Sequence, residues 1–168
     1  QGASRRAGWH GNHDPDAGET IMAHARKAIR DNIIQAVTGL TTTGSNVFQN
    51  RVYPIEQSSL PGLMVFTNEE TIEASSISPP RTQIRRLNVS VEGVVRAVDN
   101  YDDTLDSICQ EVEEALTADL TRGGLAKDTL ITSFEAQFNG DGDQPIVIGR
   151  VTVEIVYATL ENAVDTSV

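Results

Sequence analysis

From Gln83 to Asp99 apolar and polar residues alternate, with Leu87, Val89, Val91, Val95 and Ala97 on one side and Arg86, Asn88, Ser90, Glu92 and Arg96 on the other. Side chains of a strand project to opposite faces with period two, so this pattern dictates a strand buried on one face and polar on the other. The buried face needs a cover, and two stretches offer one with helical period. Ala25, Ala28, Ile29, Ile33, Ala36, Val37 and Leu40 recur at about 3.6 residues between Ala23 and Leu40. Leu105, Ile108, Cys109, Val112, Ala115, Leu116 and Leu120 do the same before Gly123-Gly124. Asn100 is placed to cap this second helix, and Asp102, Asp103 and Asp106 suit its positive end. The first is expected to stop around Gly39 and the stretch from Thr41 to Gly44.

The other strands are read from shorter signals. Val47 to Tyr53 is strand-like and closed by Pro54, and Leu63-Met64-Val65-Phe66 is a second short run. Thr67 to Thr82 is polar, contains Pro79-Pro80 and shows no apolar face, which predicts a long loop. Gly93 marks a bulge or bend in the central strand. Near the C-terminus Leu130, Thr132, Phe134, Ala136 and Phe138 alternate, as do Val147, Val151, Val153, Ile155 and Tyr157, and the turn-rich stretch from Asn139 to Pro145 joins them as a hairpin. The expected order is α-β-β-β-α-β-β. It makes an α+β fold, a mainly antiparallel sheet of about five strands with two helices packed on one face.

The 168 residues suit one core, and its expected extent is 22–160. Residues 1–21, rich in Gly, Asp, His and Arg without periodicity, read as an irregular arm, and 161–168 as a C-terminal tail. Met22 is a candidate native start, because Gly18-Glu19 can be encoded by a purine-rich ribosome-binding sequence two codons upstream.

Charge and composition exclude several functions. A net charge of -11 repels a phosphate backbone, which argues against a sequence-reading nucleic-acid binder. No apolar run approaches the roughly 20 residues that cross a bilayer, and no membrane partner or secretion signal is expected. The single cysteine, Cys109, permits no internal disulfide, fits a reducing cytoplasm, and sits on the apolar stripe of its helix as a core residue.

Catalytic and metal signals are weak throughout. His10, His13, Asp14 and Asp16 cluster in the arm, where nothing holds them in a coordination geometry. Asn139, Asp141 and Asp143 have the spacing of a calcium loop, but Gln144 replaces the glycine and Arg150 the terminal glutamate. The carboxylate pairs Glu69-Glu70, Asp102-Asp103 and Glu113-Glu114 lie in polar segments, and no phosphate-binding glycine motif occurs. The reading is a non-enzyme with no catalytic residue, cofactor or metal. One charged group stands apart: Glu69, Glu70, Arg81, Arg85, Arg86, Glu92 and Arg96, on the central strand and the segment before it, are expected to meet a neighbouring subunit or tube.

The stretch Gly39-Leu40-Thr41-Thr42-Thr43-Gly44, then Asn46-Val47-Phe48, Asn50-Arg51-Val52-Tyr53-Pro54 and Leu60-Pro61-Gly62-Leu63-Met64-Val65, resembles the opening of bacteriophage tail terminator proteins, the minor tail protein U-like family. In element order the resemblance spans about residues 22–160. It implies a subunit that forms a homohexameric ring at the head-proximal end of the tail tube, stops tube polymerisation and provides the head-joining surface. The implied partners are further copies of the chain, the tail tube protein, a head-tail connector or neck protein, and genomic DNA passing through the lumen without sequence-specific contacts. The implied location is the virion, after assembly in the host cytoplasm. A head-tail joining or other tail-completion protein and a small-ligand-binding α+β domain remain as alternatives.

Overall fold

The computed structural model describes residues 24–49, 56–97, 99–139 and 145–168. It contains helices α1 (Ala25–Val37) and α2 (Tyr101–Thr117), strands β1 (Val47–Gln49), β2 (Gly62–Ala74), β3 (Thr82–Arg96), β4 (Asp128–Asn139), β5 (Ile146–Leu160) and β6 (Ala163–Ser167), and a 3-10 turn at Gln57–Ser59. The strands form one sheet in the order β1-β2-β3-β5-β4, with β6 also paired to β5. Only the β1–β2 pairing is parallel. The fold is α+β, as the alternation and the two helical stripes require.

The alternation in β3 governs burial only in its first half, Arg85 to Val89; from Val89 to Val95 every residue is buried, Ser90 and Glu92 included. Leu87, Val89 and Val91 are buried and share one core with Val65, Val151, Val153 and Ile155 from the flanking strands, Ile29 and Ile33 from α1, and Ile108, Val112 and Leu116 from α2. Each of these aliphatic side chains contributes roughly 1.5–3 kcal/mol on full burial. Gly93 introduces no bulge, contrary to expectation: β3 and β5 pair without interruption from Thr82↔Leu160 to Arg96↔Ile146. Gly93 lies directly opposite Gly149. A Cβ on Gly93 would fall 2.9 Å from Ile108 Cγ2, and one on Gly149 would fall 2.7 Å from Leu105 Cδ1. The two glycines thus form a bare seat into which α2 settles.

Two segments differ from expectation. Thr67 to Thr82 is largely strand, because β2 runs on to Ala74 and only residues 75–81 turn. Polar composition hid this extension, and a register shift between Thr67 and Glu69 breaks its alternation. The C-terminal residues read as a tail include β6, which pairs Leu160 with Ala163 and Thr159 with Ser167. In β4 a shift between Ile131 and Ser133 places Leu130 opposite Glu154 on the open face, whereas Phe134 lies opposite Val151 on the helix face. The 1–21 arm, most of the expected strand end at 50–55 and the 140–144 turn lie outside the described residues.

Local stops follow their chemistry. Beyond α1, Gly39 (φ 87°) and Gly44 (φ 55°) take up left-handed backbone that side chains disfavour. The intervening Thr42 donates from its N–H (3.0 Å) and hydroxyl (2.8 Å) to the Glu111 carboxylate on α2. Asn100 occupies the N-cap position of α2 as expected, but with left-handed backbone and no side-chain capping bond. At the other end of α2 the buried Arg122 donates to the Leu116 carbonyl, placing a cation at the negative helix terminus.

Candidate assembly surface

The seven charged residues singled out from the sequence do not share one exposed face. Arg85 points into the helix side of the sheet and is buried. Its Nη1 donates to Glu70 Oε2 at 2.9 Å, its Nε to Thr159 Oγ1 at 3.0 Å and its Nη2 to Gln83 Oε1 at 2.8 Å. Glu70 also accepts from the Tyr157 hydroxyl and lies 3.8 Å from Arg26 on α1. Burial first, and the hydrogen bond to Glu70 second, push the Tyr157 phenol well above its usual range, so it remains a donor. Glu70 and Arg85 therefore satisfy one another inside the subunit, away from the exposed polar face expected for the strand. The reason is the parity of the register, which turns Arg85 to the same face as Leu87.

Glu92 is likewise buried, on the opposite face, where Arg150 Nη2 reaches it at 2.7 Å. Arg150 extends to Glu135 at 3.8 Å. Arg86 pairs with Glu154 at 3.0 Å but stays half exposed. Glu69 and Arg96 are exposed. Arg81 holds Glu161 through both its backbone N–H (3.1 Å) and its guanidinium (3.2 Å). Exposed pairs of this kind add little stability but fix orientation.

Apolar exposure points elsewhere. Residues 132–139 of β4 are exposed, with Phe134 46% and Phe138 64% accessible. Between β4 and α2 runs an open groove lined by Phe134 from β4 and by Asp106, Cys109, Gln110, Glu113, Glu114 and Thr117 from α2. Burial pushes the Cys109 thiol up to about 11, with Asp106 and Glu113 adding to the shift. Helix α2 carries six carboxylates and no cation, so the groove wall is uniformly acidic. Ile77, in the turn between β2 and β3, is 93% exposed. The sequence places Phe134 and Phe138 in one alternating arm of a hairpin and Ile77 in a polar loop, without marking their exposure. Ile77 is one of two isoleucines, with Ile72, in the polar run Thr67 to Thr82.

The outer edge of β4 has no strand partner among the described residues, and neither does β2 beyond its pairing with β1 at Leu63–Val65. The two free edges lie on opposite flanks of the sheet and differ in sequence. Among the described residues no group of three or more His, Cys, Asp or Glu could hold a metal ion, and no helix is long and apolar enough to cross a membrane.

No protein-family model matches the chain, and no curated protein sequence matches it. Among solved structures it is similar to a chain of "Virion of native gene transfer agent (GTA) particle", at 20% identity and a TM-score of 0.42, over 81% of this chain and 93% of that one.

Proposed function

We propose that this chain is a structural subunit of a phage-like virion, of the tail-terminator kind. Copies form a ring at the head-proximal end of the tail tube, end its polymerisation and present the surface on which a connector or neck protein docks. The observation that carries this reading is the pair of unlike sheet edges, on opposite flanks, that have no strand partner among the described residues. A subunit with two different open edges associates head to tail, and head-to-tail contacts close into rings when the rotation permits. Exposed strand edges are ordinarily blunted in monomers, whereas β4 leaves Phe134 and Phe138 uncovered beside its edge. The wording of residues 39–65 supports the terminator assignment within this class, and the acidic surface suits a conduit that lets DNA slide. Glu69, Arg81, Arg86 and Arg96, all at the surface, are the charged residues proposed for contacts between subunits or with the tube.

Native mass spectrometry and negative-stain electron microscopy of the purified chain, alone and with purified tails, test the proposal. A closed ring, free or on tail ends, is the expected result. Monomers under both conditions overturn it.

A further inference from the structure

The turn at residues 75–81 is braced. Ser75 N–H donates to the Thr82 carbonyl at 2.8 Å, Thr82 N–H donates to Ser76 Oγ at 2.9 Å, and Arg81 is clasped to Glu161. Pro79 and Pro80 restrict the backbone further, so little freedom remains to be lost on docking. On this support Ile77 is held out in water, where it adds nothing to the subunit's own core.

The groove between α2 and β4 offers the complementary shape and charge. It is an open groove of about 520 Å³, room for an isoleucine and its neighbours, and Phe134 and Cys109 are among the residues that line it. Its lining includes the carboxylates of Asp106, Glu113 and Glu114, while the turn itself carries no carboxylate and one cation, Arg81, which also pairs with Glu161. The turn cannot reach its own groove. Phe134 lies level with Val151 and Val91, and Val91 is about nine residues, or roughly 30 Å, from Thr82 along β3.

We infer that the Ile77 turn of one copy seats in the α2–β4 groove of the next. This inference rests on the ring reading and names its contact. Turn and groove are different surfaces on different flanks, so each copy both inserts and receives, and every turn is covered only when the ring closes.

Cysteine cross-linking tests it. In a Cys109→Ala background, Ile77→Cys combined with Gln110→Cys, which lines the groove, should give a ladder of reducible oligomers on mild oxidation. Each single cysteine variant should give none. A second variant, Ile77→Asp, should raise the concentration for half-assembly at least tenfold with no change in thermal midpoint, and Ile77→Leu should restore assembly. Rings that form without a ladder, or a dimer from Ile77→Cys alone, overturn the inference and leave the ring reading standing. Cross-linking of the groove cysteine to the tube protein instead of a second copy also overturns it. Monomers by native mass spectrometry under all conditions defeat both.

Discussion

Arg85 on β3 and Glu70 on β2 face each other at 2.9 Å under the N-terminal end of α1, each with only 6% of its side chain exposed. A buried pair of this kind holds together because each charge is the other's solvent. Removing one partner should therefore hurt more than removing both. Arg85→Met is expected to cost about 3–5 kcal/mol in urea unfolding, and the double variant Arg85→Met/Glu70→Leu markedly less than the sum of the single changes. Additive costs would show that the pair is not coupled.

The seat of α2 makes a sharper demand on size than on chemistry. Gly149→Ala brings a methyl group within 3.0 Å of Cγ and both Cδ atoms of Leu105, so the whole isobutyl group must shift. A loss of about 1–3 kcal/mol is expected from overpacking, read as a lowered thermal midpoint. Leu105→Ala in the same chain should recover part of it. An unchanged midpoint for Gly149→Ala would show that α2 floats on the sheet.

Cys109 should be a slow thiol. With its pKa raised from 9.0 to about 11, it carries about a hundredfold less thiolate at pH 8 than an ordinary cysteine. Iodoacetamide labelling should accelerate roughly tenfold per pH unit from 7 to 10 without a plateau. If the groove is occupied in the ring, assembled protein should label more slowly still than the monomer. A plateau near pH 9 contradicts the burial argument.

At the start of α1, His24 Nδ1 accepts the Arg26 backbone N–H at 3.1 Å, which needs an unprotonated ring nitrogen. Its pKa is lowered, by burial first and Arg26 second; Arg85 lowers it as well, against the opposing pull of Glu70 and Asp165. A base with a depressed folded pKa contributes stability that is present above its ordinary value and lost as pH falls through the lowered one. Amide exchange at the first turn of α1 should therefore quicken, beyond its intrinsic pH dependence, as pH falls below the ordinary histidine value of about 6.5 and through the lowered one. His24→Asn, which caps without titrating, should remove that excess. Persistence of the excess would assign it to another group.

The fold was legible where one face of an element is apolar and the other polar. The β3 alternation and the stripes of Ile29, Ile33, Ile108 and Val112 identified the sheet and the helices over it, because burial acts on each of those positions independently. What escaped was set by pairing. β2 beyond Phe66 is a strand through its ladder with β3, and its inward position at Glu70 holds a charge whose partner lies 15 residues away. No local pattern marks such a pair. Arg85 and Glu92 read as exposed because charged side chains usually are. Their true places follow from register, which brings Arg150 to Glu92 and Tyr157 to Glu70 across long stretches of chain. Of the exposed contacts, Arg81 and Arg86 stand where a strand and turn reading would put them. Phe134 did not, because an edge strand alternates as a central one does, and β4 is the last strand of the sheet among the described residues.

The clasp of Thr42 on Glu111, between two left-handed glycines, falls within the wording that resembles tail terminators. There the chain leaves α1 and is tied sideways to α2, so those residues work as a joinery detail common to every copy, whatever the copy is fastened to. Chains that share the detail share a way of being built. Ile77 and the α2–β4 groove lie apart from it, so a change in how copies meet leaves the joint within each copy intact.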